Sequence, residues 1–338
     1  MAARPDELSP SADGPLARRL VRHADLVPCL NAFVDSRTPG SDAKENFTIV
    51  GPGVSENPNQ HVHVPEPHGY NVGGARQPPG CLNSQHSHLT AEVFVVHTGE
   101  WAFRYGVEAD DGEVRLSPGD TISIPPMMFR GFENVGDGTG FLFAVLGGDD
   151  PGKVTWAPRV FELARDYGLV LLEGGRLVDT AAGETVPEGA VRQRAPDAEE
   201  IVRLATADAE RLAGCVVRAD ALGGAAGGPG AGVGVELAPV IADADAGGGG
   251  IRHWWPHGFD LDRLRVDPEA RTARREIETP TVVFVQSGAL VVEVDDERVG
   301  LGAGDTFSVP VGAGCALANP DAGAVAEAFV VTGRPGAA

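Results

Sequence analysis

The 338-residue chain is poor in cysteine, aromatic residues, positive charge and long apolar runs. Its four cysteines (Cys29, Cys81, Cys215 and Cys315) lie far apart and form no CxxC pair, which argues against a disulfide framework or a zinc ribbon. Lys and Arg number 27 against 48 Asp and Glu, a formal net charge of -21. Nucleic acid and anionic membrane both require a positive field, so neither is an expected partner. Apolar runs such as Phe141 to Leu146 are far too short to span a bilayer. The first residues, MAARPDELSP, lack the apolar core of a secretory signal. A soluble, reducing, cytoplasmic setting is the expectation. Aromatic residues make up only 6%. Together with 46 Gly and 26 Pro, that argues against a helical bundle and for short strands joined by turns. At 42% hydrophobic the chain can still bury real cores, and its length suggests about two domains.

Residues 1–45 read as an N-terminal arm, in which Leu16, Leu20, Val21 and Leu26 have helical spacing within Pro15 to Val27. From about Phe47 the pattern becomes short strand-like segments, among them Val93–Val96, Ile122–Ile124 and Phe141–Val145. Residues 156–213 form a connector with helical spacing over Arg159–Tyr167 and Asp197–Leu212, the second starting at Pro196-Asp197. Residues 214–338 return to strands and turns, with Gly-rich loops at Gly223–Gly234 and Gly247–Gly250.

The two strand-rich parts, 46–155 and 214–338, match each other. Pro67-His68-Gly69-Tyr70 recurs as Pro256-His257-Gly258-Phe259, an offset of 189, and Gly99 falls on Gly288. Gly119-Asp120-Thr121 recurs as Gly304-Asp305-Thr306 at an offset of 185, carrying Pro125 onto Pro310 and Asn134 onto Asn319. Such a period means two copies of one domain. A residue present in both copies most simply serves the fold, and one present in a single copy is the better candidate for chemistry. His68, with its counterpart His257, therefore reads as structural.

The most informative stretch is Gly80-x5-His86-x-His88-x3-Glu92-x6-Gly99. On a strand, residues i and i+2 share a face, so His86 and His88 present two imidazoles side by side. With Glu92 they make a donor set for a borderline divalent metal. These positions resemble the first motif of the cupin superfamily, and Gly119, Pro125 and Asn134 partly match the second. The resemblance implies an all-β fold of two jelly-roll barrels in tandem, a bicupin, with a helical connector. It also implies a small-molecule substrate. Where the second motif places a third metal-ligating histidine, this chain has Arg130, and the motif's glycine is Met127. Arginine does not ligate metals. The set carried over is therefore His86, His88 and Glu92, a 2-His-1-carboxylate arrangement that favours Fe(II), with Mn, Ni, Cu or Zn as alternatives. In the second copy the matching positions are Arg275, Ile277, Thr281 and Cys315, so no metal is expected there, only a packing or dimerisation role.

Arg130 has two readings: an anion clamp for a substrate carboxylate or enolate, or an internal ion pair with Glu92. His61 and His63 occur at strand spacing in QHVHV, and their counterparts are Gly250 and Arg252. They are candidates for lining the pocket, for acid/base work or for the missing third ligand. His97 should point away from the metal. Trp101, Phe103 and Tyr105 alternate along a strand, as core or as an aromatic wall.

Three functions follow. The resemblance to quercetinase-like and other dioxygenase bicupins implies a metal-dependent oxygenase using O2. A non-redox isomerase, decarboxylase or lyase could use the same ion, with His61 or His63 moving the proton. A non-catalytic ligand-binding bicupin predicts no stoichiometric metal and a Glu92–Arg130 contact.

Overall fold

The computed structural model describes residues 14–150, 152–204, 214–221, 232–241 and 255–334. Among the described residues, four sheets of four to seven strands carry the architecture, with one small hairpin beside them. In the N-terminal barrel a seven-stranded sheet centred on Glu92–Thr98 and Gly140–Gly147 faces a five-stranded sheet centred on Leu82–Ser87, Arg130–Asn134 and Trp101–Tyr105. In the C-terminal barrel a six-stranded sheet containing Thr281–Ser287 and Ala326–Gly333 faces a four-stranded sheet containing Gly314–Ala318 and Ala289–Val294. The sequence repeat holds at the level of register. Arg130 is the cross-strand partner of His86, and Cys315 that of Arg275.

Alternation along the strands separates two kinds of core. Phe94, Trp101, Phe103 and Phe132 fill the first barrel, and Leu264, Val283, Leu290 and Phe307 fill the second. The opposite faces of the larger sheets meet in a third, shared core, where Phe143 and Phe284 stack at 4.3 Å. Residues shared by the two copies serve this junction. His68 bonds Ser308 Oγ across it at 2.8 Å, and His257 bonds Ser123 Oγ at 2.7 Å, two contacts related by the repeat. The backbones approach so closely there that a Cβ on Gly147 would lie 2.2 Å from the His257 carbonyl. His97, as expected, faces this junction and not the motif: its ring packs at 5.2 Å from Phe284.

The arm departs from the helix that its spacing suggested. Ala17–Arg19 and His23–Asp25 are single 3-10 turns around a two-residue strand, Leu20–Val21. That strand pairs with Thr306 and Phe307 of the C-terminal barrel. Leu16 packs into that barrel's core, and Val21 and Leu26 pack into the junction. Long-range burial thus outweighs local helical preference. Symmetrically, Val216–Val217 pairs with Thr121 and Ile122 of the N-terminal barrel. Arg22 then binds Asp305 at 2.6 Å, as Arg218 binds Asp120 at 2.6 Å. Each barrel's larger sheet is therefore completed by a short strand that precedes the other barrel.

In the connector, the helix Pro158–Asp166 coincides with the first expected helix. The second is Ala198–Val202, started by an Asp197–Glu200 capping box. The rest of the Asp197–Leu212 expectation, from 205 on, lies outside the described residues, as do Gly247–Gly250 and most of Gly223–Gly234. An unexpected hairpin, Leu169–Leu171 with Leu177–Asp179, packs with the helix.

Candidate metal centre

His86 is the penultimate residue of the strand Leu82–Ser87, His88 follows that strand, and Glu92 opens the next, Glu92–Thr98. The bend between those strands turns all three side chains inward. One nitrogen from each histidine and one Glu92 oxygen lie within 4.8 Å of one another, and all three residues are buried. The His86 and His88 rings stand at 5.1 Å and 81°. His86 Nδ1 donates to the Ser84 carbonyl at 2.7 Å, which leaves the Nε2 lone pair free. Metal-bound histidines are typically oriented by a second hydrogen bond of this kind. His88 Nδ1 is buried with no partner, and its Nε2 is 3.8 Å from Glu92 Oε2. Burial first, and Arg130 second, hold both imidazoles well below the usual histidine range. Both are therefore neutral, the form that ligates metals. Two neutral imidazoles and a carboxylate so placed fit a divalent ion.

Arg130 is 1% exposed. Its Nη2 pairs with Glu92 Oε2 and its Nη1 donates to the His86 carbonyl at 3.1 Å. Of the two sequence readings, the geometry shows the internal ion pair. Burial pushes the Glu92 carboxyl up, and the guanidinium pulls it partly back down. The neighbouring departure is also visible in the backbone. Met127 has φ +66°, the left-handed region that favours glycine, and its repeat partner Gly312 has φ +83°. Met127 accepts that conformation while its N–H donates to the His88 carbonyl at 2.7 Å.

The three metal-ligand candidates border a cavity of about 70 Å³ available to water centres. Its walls include Phe33 and Cys29 from the arm, Phe94 and Phe132 from the barrel, and the amides of Asn46 and Gln60. Asn46 Nδ2 is buried without a hydrogen-bond partner, a donor facing a site. No motif marks Asn46. Its place at the site depends on the arm closing the barrel mouth.

A buried scaffold supports the centre from behind. Lys44 and Asp35, both fully buried, form an ion pair. Asp35 Oδ2 accepts from the Ser84 N–H at 3.0 Å, on the residue whose carbonyl orients His86. Trp156 packs at 5.1 Å from the His86 ring and donates its indole N–H to Glu56 at 2.6 Å. Burial pushes the Glu56 carboxyl up to about 8. These residues carry no local signal, because each comes from a different segment.

The structure does not bring His61 and His63 to this site. They do not line the cavity, and their rings pack together at 4.4 Å. The strand Val62–Val64 pairs in parallel with Glu45–Val50 at the sheet edge, and Val64 packs into the core between the barrels. His63 Nε2 instead accepts from the Val27 N–H at 3.2 Å. Their repeat counterparts, Gly250 and Arg252, lie outside the described residues. Trp101, Phe103 and Tyr105 pack in the barrel core rather than forming a wall of the cavity.

Comparison with known proteins agrees with this architecture. Residues 75–146 match the Cupin domain family. No curated protein sequence matches the chain. Among solved structures, the chain is similar to an oxalate decarboxylase from Lactobacillus farciminis in a formate complex. That match has 12% identity and a TM-score of 0.57, covering 97% of this chain and 88% of the other. It is also similar to oxalate decarboxylase from Bacillus subtilis, in one structure at 14% identity and a TM-score of 0.55, covering 96% and 79%. Another structure of the Bacillus enzyme, also at 14% identity and a TM-score of 0.55, is described by its Mn(II) centres. At this identity the likeness is one of fold. The two barrels and the matched register of their repeats give the chain the fold of a bicupin, with the Cupin domain match lying in the N-terminal barrel.

Proposed function

We propose that this bicupin is a divalent-metal enzyme that decarboxylates a small oxygen-rich acid in its N-terminal barrel. The observation that carries the reading is the convergence of two neutral imidazoles and one carboxylate, within 4.8 Å, on a small buried cavity. His86, His88 and Glu92 would hold the ion, and three protein ligands leave coordination positions open. When bound, the ion supplies positive charge that polarises a carboxylate or carbonyl oxygen. The chain's own residues do the rest. Arg130 fixes Glu92 in one orientation and balances its charge. The Asn46 amide offers a donor to a substrate oxygen. Phe33, Phe94 and Phe132 exclude water, which strengthens every charge interaction inside.

Size favours a small acid over a bulkier aromatic substrate. The cavity measures only about 70 Å³. The likeness in fold to oxalate decarboxylases supports the same class, and Mn(II) stands beside Fe(II) as a candidate ion. Oxygenation and decarboxylation are separated by gas balance. Metal-loaded protein is incubated with C2 to C4 oxo- and dicarboxylic acids while CO2 release and O2 uptake are followed. The proposal expects CO2 with no net O2 consumption, abolished in His86→Ala. Stoichiometric O2 uptake would restore the oxygenase reading.

One observation favours a second reading. The Arg130–Glu92 pair is the contact expected of a metal-free, ligand-binding barrel. In that reading the guanidinium replaces the ion, and the protein takes up no stoichiometric metal.

A further inference from the structure

The C-terminal barrel lacks the ligand set but retains a cavity. It measures about 60 Å³ to water centres, close to the size of the N-terminal one, and lies at the equivalent place. Arg275, Ile277, Thr281 and Cys315, the counterparts of His86, His88, Glu92 and Arg130, all border it. The walls are aliphatic, with Leu264, Ile277 and Val283 among them.

Two charged side chains break this lining, and neither is spent elsewhere. Asp262 lies on the strand Phe259–Val266, on the same face as Leu264 and Val266, which pack into the barrel interior. Among the described residues its carboxylate has no ion-pair or hydrogen-bond partner. Arg275 stands exposed at the rim, and its guanidinium likewise has no such partner. The charges around them are engaged: Asp260 with Arg334, Arg263 with Glu327, and Arg274 with Asp295. The cavity's hydroxyls are also in use, Thr272 accepting from the Leu317 N–H and Thr281 donating to the Thr279 carbonyl. Burial raises the Asp262 carboxyl to about 6, Asp260 adds to the effect, and the Arg275 guanidinium, beyond ion-pair distance, draws it partly back down. Burial also pushes the Cys315 thiol up to about 11, so it stays protonated and acts as a small apolar group.

A half-buried anion and a rim cation that border one aliphatic cavity, without pairing to each other, define a site for a molecule with both charges and a short apolar body. We propose that the C-terminal barrel binds a small aliphatic amino acid, its ammonium on Asp262, its carboxylate on Arg275 and its side chain among Leu264, Ile277 and Val283. The cavity is small, about 60 Å³, which favours alanine to valine over larger side chains. The site is independent of the metal-centre reading, because it shares no residue with it.

Titration calorimetry on the full chain tests this with alanine and valine as probes, alongside isobutyrate, which lacks the ammonium, and isobutylamine, which lacks the carboxylate. Saturable heat is expected for the two amino acids, with both analogues at least about tenfold weaker. Asp262→Asn and Arg275→Gln should each weaken valine binding by a similar factor. Should either variant fail to fold, the analogue series on the unaltered chain decides alone. The proposal is overturned by no saturable heat up to about 10 mM amino acid. It is equally overturned by isobutyrate or isobutylamine binding as tightly as valine, or by unchanged binding in both folded variants.

Discussion

Replacing Arg130 with methionine asks what the guanidinium does for Glu92. Arg130 and Glu92 are both buried, 1% and 5% exposed, and among the described residues Glu92 has no other cation within ion-pair reach, His88 at 3.8 Å being neutral. Removing one partner of such a pair costs about 3–5 kcal/mol, because the remaining charge stays buried. Burial already pushes the Glu92 carboxyl up, and Arg130 is what opposes it. In Arg130→Met only the upward push remains, and protonation of Glu92 limits the loss. At about 2–4 °C per kcal/mol, the metal-free variant should melt about 6–20 °C below the parent chain. A divalent ion at His86, His88 and Glu92 would supply the missing positive charge. At a hundredfold excess over Kd it would return about 2.7 kcal/mol. The assay is thermal unfolding of chelator-treated and metal-loaded protein, parent and variant. An unchanged melting temperature in the metal-free variant would refute the role given to the ion pair. Equal metal-induced shifts in parent and variant would refute the idea that ion and guanidinium balance the same carboxylate.

Other positions give separate checks. Phe284 stacks on Phe143 between the barrels, so Phe284→Ala should cost about 3–5 kcal/mol by denaturant unfolding. Met127 holds φ +66° with a half-exposed side chain. Relief of about 1–2 kcal/mol of strain, less about 0.4–1 kcal/mol of glycine chain entropy, makes Met127→Gly more stable by about 0.5–1 kcal/mol. His97 is held down at about 4 by burial and by His23. A histidine depressed in the folded state contributes stability that is present above its unfolded value of about 6.5 and lost as pH falls towards 4. Stability should therefore decline across pH 6.5 to 4, and His97→Phe should flatten that decline in a pH series of unfolding curves.

The sequence carried the architecture because both signals behind it are local. Alternation marked the strands, and the recurrence of Pro-His-Gly and Gly-Asp-Thr marked two copies. The i, i+2 spacing placed His86 and His88 on one face, and Arg130 stood out against a motif position. What stayed hidden depends on which segments meet. The exchange of short strands between barrels turns Leu20–Val21 from an apparent helix into a sheet edge. The same long-range closure brings Phe33 and Asn46 over the cavity and sets Trp156 and Glu56 behind His86. His61 and His63 had suitable spacing, but their strand lies at the sheet edge, where His63 accepts from the Val27 N–H away from the cavity. Spacing fixes which residues share a face, not which face turns inward.

Metal content of protein purified without chelators is the most direct measure of the proposed centre. The account predicts one divalent ion per chain in the parent, lost in His86→Ala and in Glu92→Ala. Protein without stoichiometric metal after loading, or metal retained unchanged in Glu92→Ala, would contradict it and leave the Arg130–Glu92 pair as the barrel's substitute for an ion.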